Sequence, residues 1–346
     1  MFPSEHALAR RFSVSRSLIT TVVSELEREG LVSRRQGRGT FLTPSSVLRK
    51  IGVLFSETAT SEYYSRILRA ISGLAQKNEY SLLFAEITAT DSHERAKMSE
   101  RTAQDMIRQR VSGVIFEPLE HVADAQEINR RILDSFDRAK IPVVLCDCDF
   151  LSGPARSEYD VVGVNNVEAG AALLVHLQEM GARRVMFLTV PNSARSHQDR
   201  LRGALLAIAQ SERKRKPVCT AVFANPYDSA ALRRAIRACR PDAVMCGNDM
   251  TAALLVQALR EIGISVPKDM LVTGFNDVSI SRLTLPTITT VCQPCEAIAK
   301  TAFDRLLARI ADPKLPPADL FLPARLIVRE SSAVSRKVTK RKVAKK

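Results

Sequence analysis

Short aliphatic segments alternate with amphipathic helical segments along most of this chain, and that alternation constrains its fold more than any other feature. Residues 51–55, 82–84, 113–116, 143–145 and 161–164 read as strands, as do 185–188, 218–223, 243–245, 271–274 and 288–291. Between most of them lie apolar stripes at helical period, as in 64–76, 168–180, 199–210 and 249–262. Strands interleaved with helices predict an α/β fold with parallel sheets covered on both faces. The strands are too many for one compact sheet of this length, so two lobes are expected. In such sheets a ligand sits beyond the carboxyl ends of the strands.

The charge is unevenly spread. The chain of 346 residues carries a net +14, yet residues 1–50 hold nine Lys/Arg against four Glu, and residues 331–346 hold seven Lys/Arg and no acid. Only +2 is left for everything between. A nearly neutral body with two basic ends suggests a polyanion partner, most simply nucleic acid. For the tail, which lacks any apolar period, disorder is expected. No apolar run reaches the ~20 residues that span a bilayer. Glu5, Arg10, Arg11, Arg16 and Glu25 interrupt any secretory segment at the start. Seven dispersed cysteines do not form a secreted disulfide framework. The expected location is the cytoplasm, with no membrane partner.

Residues 1–50 have their own pattern. Ser4 can cap a helix running to about Phe12, with Glu5 in its first turn and Leu8 and Phe12 on one face. Ser15 can cap a second helix whose stripe is Ile19, Val22, Val23 and Leu26, ended by Gly30. Strands at 31–35 and 40–43 follow, joined by Gln36-Gly37-Arg38-Gly39. Two short helices and a hairpin outline a winged helix-turn-helix. Its second helix would present amides and Arg16, Ser17 and Thr20 to DNA, and its Gly-Arg-Gly tip would enter a minor groove.

The segments Pro3-Ser4-Glu5, Val14-Ser15-Arg16, Glu25 to Val32, and Arg34 to Phe41 resemble the GntR family of bacterial regulators. The resemblance implies DNA contacts by Ser4, His6, Ser15, Arg16, Ser17, Thr20, Gln36, Gly37, Arg38, Gly39 and Thr40. Members of that family have a further helix before the Pro-Ser-Glu segment. Here only Met1 and Phe2 stand before it, so the expectation is either a true start upstream or a truncated head over 1–44 with a marginal core. His6 and Thr20 occupy positions where some relatives carry arginine.

Residues 45–50 read as a linker. Beyond it, polar residues recur at strand ends: Glu57, Glu117, Asp147, Asp149, Asn248-Asp249 and Asn276-Asp277, with Arg200 opening a helix. Tyr63, Phe150, Tyr227 and Phe275 could supply flat apolar faces. Fixed donors, acceptors and rings suit a neutral polyhydroxy ligand such as a sugar. The plainer reading of each Asp or Asn is a helix N-cap.

Val161 to Asn166, Arg200-Leu201-Arg202-Gly203, Pro241-Asp242-Ala243 running into Cys246 to Asp249, and Thr273 to Asp277 resemble the effector domain of the LacI/GalR family. So does Leu285 to Val291 with Gln293-Pro294. The resemblance implies the two-lobed periplasmic-binding-protein-like fold over 51–330 and a homodimer. Lobe 1 would cover about 51–161 and 293–320, and lobe 2 about 162–291 and 321–330, with crossings near 160–162, 291–293 and 319–323. It places ligand contacts at Tyr63 or Tyr64, Asp147, Arg200, Tyr227, Asn248 and Asn276, to which the strand-end reading adds Glu117. Asn276 replaces the usual aspartate, which removes a bidentate acceptor for adjacent hydroxyls. A modified or larger saccharide is therefore in view. A GntR-type head on a LacI-type body resembles the arabinose-repressor branch of GntR regulators.

Cys146-x-Cys148 and Cys292-x-x-Cys295 have spacings that metal and redox sites use, against which stands the usual role of strand cysteines as small buried hydrophobes. The five histidines are scattered, and no hydrolase, phosphate-loop or dinucleotide fingerprint is present. No catalytic residue, cofactor or metal is assigned. The expected function is a ligand-responsive transcriptional regulator, binding a palindromic operator as a dimer. The competing reading is a cytoplasmic small-molecule-binding protein whose truncated head no longer reads DNA.

Overall fold

The computed structural model describes residues 3–28, 32–35, 39–42, 49–56, 61–85, 87, 91–122, 124–151, 153, 155–190, 193, 195–212, 216–225 and 228–333. At the start, α1 (Glu5–Phe12) and α2 (Arg16–Arg28) precede an antiparallel hairpin of β1 (Val32–Arg35) and β2 (Gly39–Leu42). Ser4 Oγ accepts from Ala7 N at 3.2 Å and Ser15 Oγ from Leu18 N at 3.2 Å, so both helices begin on the expected caps. Ile19, Val23 and Val32 form the small core, with Leu8, Ala9 and Leu26 against it. Val22 and Phe12, expected inside, are 45% and 62% exposed. The cause is geometric: α1 and the hairpin cover only the Ile19–Val23–Leu26 side of α2. Gly39, expected in the turn, pairs with Arg35 as the first residue of β2. Gly30, the hairpin tip at Gln36, Gly37 and Arg38, and residues 43–48 lie outside the described residues.

The body opens with β3 (Arg49–Leu54), α3 (Glu62–Lys77), β4 (Tyr80–Phe84), α4 (Ser92–Arg108), β5 (Gly113–Phe116), α5 (Ala125–Arg138), β6 (Val143–Cys146) and β7 (Asp160–Val164). Next come α6 (Asn166–Glu179), β8 (Arg184–Thr189), α7 (Arg195–Gln210), β9 (Val218–Phe223), α8 (Ser229–Cys239), β10 (Ala243–Cys246) and α9 (Asp249–Glu261). The chain continues through β11 (Leu271–Thr273), α10 (Ile280–Leu283), β12 (Thr290–Cys292), α11 (Cys295–Ala311), β13 (Asp319–Leu322) and β14 (Arg325–Ile327).

These strands build two parallel sheets, as the alternation predicts. The first has the order β13-β7-β6-β5-β3-β4 and the second β11-β10-β8-β9. Every residue of β5, β6, β7 and β10 is buried, because helices cover both faces. The edge strands β9 and β13 instead alternate between covered and exposed positions. Strand order reverses between β3 and β5 in the first sheet and between β8 and β10 in the second. Each reversal opens a crevice at the carboxyl ends, where a ligand fits.

Three passages join the sheets: β7 into α6, β12 into α11, and β13 into β14. β12 pairs antiparallel with β14 and extends the second sheet through Gly274 N to Thr289 O (2.8 Å) and Asn276 N to Val291 O (2.9 Å). Three boundaries differ from the expected ones. Arg49 and Lys50 belong to β3, drawn in by pairing with Tyr80 and Ser81, not to a linker. β7 stays in the first sheet to Val164, so that passage falls after 164, not at 160–162. Ser331 and Ser332, expected in the basic tail, are fully buried. Ser331 Oγ donates to Val272 O at 2.6 Å, and Ser332 Oγ lies 2.7 Å from His176 Nε2.

One helix pair governs how the second lobe presents its side chains. A Cβ on Gly170 of α6 would lie 2.0 Å from Arg200 O, and one on Gly203 of α7 would lie 1.9 Å from Val167 O. The two backbones therefore touch, which only glycine allows. This explains the Arg200-to-Gly203 motif: the glycine seats the helix that carries the arginine. Gly203→Ala must push α6 and α7 apart, an overpacking cost of at least about 1–3 kcal/mol. The thermal midpoint should fall by several degrees, readable by calorimetry.

Candidate functional site

In the head, Arg16 and Ser17 stand exposed on the first turn of α2. Ser15 Oγ lies 3.0 Å from Ser17 Oγ, and His6 Nε2 is 2.6 Å from Arg10 Nη2. Thr20, expected to face DNA, donates to Glu5 Oε2 at 2.9 Å. Glu5 also accepts from Arg34 Nη2 at 3.0 Å. That carboxylate thus links α1, α2 and β1 and holds Thr20 toward the head. Gly39 adopts φ +94° with open space around it, and Thr40 is half-buried.

In the body, six of the eight expected ligand residues meet at one cavity between the lobes. Tyr63, Tyr64 and Asp147 come from lobe 1, and Arg200, Asn248 and Asn276 from lobe 2. Ser61, Glu120, His121, Ser196, His197 and Gln293 complete the lining. Tyr227 lies outside the described residues. Glu117 does not line the cavity: its Oε2 accepts from Ser56 N at 2.9 Å, closing the β3–β5 crevice from below. Phe275, expected as a ring for a ligand, is fully buried, and its face carries the Arg200 guanidinium at 3.5 Å.

Each group is held by its neighbours. Arg200 Nε donates to Asn166 Oδ1 at 2.8 Å and Nη1 to Gly247 O at 2.6 Å. The Tyr63 hydroxyl lies 3.0 Å from Asp147 Oδ1 and 3.2 Å from Gln293 Oε1. Gln293 Nε2 donates onward to Asn276 Oδ1 at 2.8 Å, so a hydrogen-bonded chain runs from lobe 1 to lobe 2. A second bridge closes the rim, where the Glu62 carboxylate accepts from Ser279 N and Oγ at 2.8 and 3.0 Å. Asn248 Oδ1 accepts from Thr251 N at 2.8 Å, so this residue is both an N-cap and part of the lining. Asp147 and Asn276 sit at φ +78° and +107°, conformations that cost a non-glycine residue of order 1–3 kcal/mol.

Burial sets the electrostatics. It raises the Asp147 carboxyl, opposed by Arg200 and by hydrogen bonds from Tyr63 and Ser196. It drives the His197 imidazole well below its ordinary value, with Arg200 and His121 acting in the same direction. His197 is therefore neutral, with Nδ1 2.9 Å from Thr189 Oγ1. Tyr63 and Tyr64 are pushed well up by burial and by Asp147. The lining thus sets neutral donors and acceptors around the buried Arg200 cation, with the Asp147 and Glu120 carboxyls beside it.

Potential ligand atoms of Glu120, Asp147 and Cys148 lie within 4.8 Å of one another. Burial raises the Asp147 carboxyl and the Cys148 thiol, which works against the deprotonated forms a metal needs. All seven cysteines are free thiols, and burial raises Cys146, Cys292 and Cys295 as well. Those are the properties of packed hydrophobes, not of reactive pairs. Among the described residues, no helix is long and apolar enough to cross a membrane.

This architecture, a small DNA-binding head followed by a two-lobed ligand-binding body, defines a class of bacterial transcriptional regulators. Residues 1–42 match the family described as bacterial regulatory proteins, gntR family, and residues 174–332 match the periplasmic binding protein-like domain. The chain is a regulator that joins a GntR-type head to a periplasmic-binding-protein-like body. It is 27% identical to an arabinose metabolism transcriptional repressor of Geobacillus stearothermophilus, over 95% of this chain and 91% of that one. It is 25% identical to a ribose operon repressor of Haemophilus influenzae, over 84% and 85%. A solved complex of the transcriptional regulator CelR with cellobiose superposes with a TM-score of 0.67, covering 95% of this chain and 100% of that chain at 21% identity. These relatives are transcriptional regulators, not enzymes.

Behind the cavity, Asp249 accepts from Thr290 Oγ1 at 2.6 Å and Val278 N at 2.9 Å, and burial pushes its carboxyl up to about 7. The folded chain then keeps a proton that the unfolded chain releases near 4. This contribution to stability is full at low pH and is lost as pH rises towards 7. The thermal midpoint of the wild type relative to Asp249→Asn should therefore fall between about pH 5 and about pH 8. A difference that stays constant would show that Asp249 is ionised throughout.

Proposed function

We propose that this chain is a dimeric cytoplasmic repressor whose interlobe cavity binds a sugar or sugar-like effector and whose heads bind a palindromic operator. The observation that carries this reading is the meeting of Tyr63, Tyr64, Asp147, Arg200, Asn248 and Asn276 from two lobes around one cavity. Hydroxyl groups can exchange with the amides and phenols there at little electrostatic cost, since His197 is neutral and Arg200 is already bonded to protein oxygens. Asn276 offers one oxygen and one donor where an aspartate would offer two acceptors. That exchange favours effectors with a ring substituent or a second unit over a bare pentose, and the cavity, about 60 Å³ here, must widen between the lobes to admit either.

The proposed switch uses the interlobe bridges. An effector that inserts among Tyr63, Gln293 and Asn276 changes the closed arrangement relative to the open one, and its differential affinity is the work available to move the heads. Two heads related by a two-fold axis need an operator with matching symmetry. On the DNA side, Ser4, His6, Ser15, Arg16, Ser17, Gln36, Gly37, Arg38, Gly39 and Thr40 are proposed contacts, with Arg16 the strongest. Thr20 is assigned to holding the head, because of its bond to Glu5.

Fluorescence anisotropy with DNA from upstream of the protein's own gene, in the presence of unrelated competitor, tests this directly. Specific binding is expected, with Arg16→Ala weakening it by about tenfold or more, as for loss of a charge-assisted contact. Arabinose, ribose and cellobiose are the first effectors to add. Tyr63→Phe, which removes only the hydroxyl bonded to Asp147 and Gln293, should retain DNA binding and weaken any sugar response. Equal binding to all DNA would overturn the repressor and favour the small-molecule-binding reading.

Residues 334–346 carry the seven Lys/Arg of the tail. They are proposed to add sequence-independent affinity by counterion release. Deleting 334–346 should flatten the slope of log affinity against log salt, by up to about 6, while leaving sequence preference unchanged. The cut must spare Ser331 and Ser332, which are buried. An unchanged slope would exclude the tail from DNA.

A further inference from the structure

A second cavity, of about 420 Å³, lies beside the first and shares Asp147 with it. Its walls come from both lobes: Gly153, Arg156 and Phe321 on one side, Arg195, Asp199 and Arg202 on the other. Asp199 serves two guanidinium groups at once, through Oδ2 to Arg195 Nε at 3.3 Å and through Oδ1 to Arg202 Nη1 at 3.0 Å. A Cβ on Gly153 would lie 2.9 Å from Arg202 Nη1 and 3.4 Å from Arg195 Nη2, so both groups converge on this loop. Arg195 Nη1 is buried and has no hydrogen-bond partner among the described residues.

The other charges of the cavity are committed elsewhere. Arg156 Nη2 pairs with Asp319 Oδ1 at 3.0 Å. Asp149 accepts from the amides of Leu151 and Ser157 at 2.9 and 2.8 Å. Asp147 is turned to Tyr63, 3.0 Å away. The Arg195–Asp199–Arg202 trio has one positive charge in excess, facing the Asp147 and Asp149 carboxyls of the same lining, and it keeps a buried N–H without an acceptor among the described residues. A buried donor without an acceptor costs about 1–3 kcal/mol, which an incoming oxygen would relieve. Phe321, 49% exposed, supplies an apolar wall on the opposite side.

We propose that this cavity is a second ligand site, which takes the oxyanion of a small anionic metabolite on Arg195 and Arg202 and packs its apolar part against Phe321. The oxyanion is a phosphate or a carboxylate, both of which match a pair of guanidiniums. The inference is independent of which effector the first cavity holds.

Isothermal titration of the full chain with phenyl phosphate and with benzoate, using benzyl alcohol as a neutral control, tests it. Saturable binding of at least one anion, and none of the alcohol, is expected. Tighter binding of phenyl phosphate assigns a phosphate ligand, and tighter binding of benzoate a carboxylate. Arg195→Gln and Arg202→Gln should each weaken it by about tenfold or more. Arg202 is half exposed, so its variant should fold and decides the matter by itself if Arg195→Gln does not. No saturable binding of either anion overturns the proposal. So does binding that Arg202→Gln leaves unchanged, which would place the anion on the basic head or on residues 334–346.

Discussion

The body depends on how one buried positive charge, Arg200, is satisfied. Its partners come from separate parts of the chain: Asn166 directly after the first passage between sheets, Gly247 at the end of β10, and the ring of Phe275 after β11. Asp147 supplies the nearby negative charge from the other lobe. A buried cation that loses one partner is left with an uncompensated desolvation cost, so these segments are tied to a common geometry. The α6–α7 contact at Gly170 and Gly203 sets the position of the helix that delivers this charge. Stability and site geometry therefore share their residues, and a substitution in this pair of helices disturbs both.

The bonds that cross between lobes are of a different kind. Among the described residues they are polar and include Glu62 with Ser279, Ser196 with Asp147, and Tyr63 through Gln293 to Asn276. Each such bond contributes about 1 kcal/mol net, since water competes for both partners. Shifting a two-state equilibrium from one side to the other takes about 5.5 kcal/mol of differential binding. A small ligand that gains several hydrogen bonds in only one arrangement can supply that amount. Apolar packing also continues from one lobe to the other through Tyr63, Tyr64 and Phe275, so the polar bridges are the part of the contact that a ligand can exchange.

Much of this was legible in the sequence because it is written in local patterns. Short aliphatic runs alternating with period-3.6 stripes point to both sheets, and Ser4 and Ser15 to the helix starts. Polar residues after strands led to Asp147, Asn248 and Asn276. The same rule also selected Glu117, which turns to Ser56 because it stands in the crevice itself. Glu120 and His121, three and four residues further on, line the cavity in its place. Ser196 and His197 lie one helical turn before Arg200 on α7 and could have been found from it by spacing. Gln293 could not, since its role depends on two neighbours brought together only by the third dimension. Phe275 read as a ligand platform, because no pattern shows that a ring is already occupied by an arginine. Ser331 and Ser332 read as tail, because two serines beside a basic run carry no sign that strand β11 and His176 await them.

The head and the body divide the work of binding unequally. The head's core is Ile19, Val23 and Val32, with the Glu5 carboxylate joining α1, α2 and β1. A single head reads only a short stretch of bases, and part of its hold on DNA comes through charge, which all sequences offer equally. Specificity then has to come from joining two heads at a fixed spacing. In the proposed dimer the second head binds at a high effective concentration only when that spacing matches the operator. A modest change in lobe angle, carried to the heads, would remove that advantage without altering any DNA contact. In such a dimer the decision is left to the geometry of the body, which sets whether both heads can bind at once.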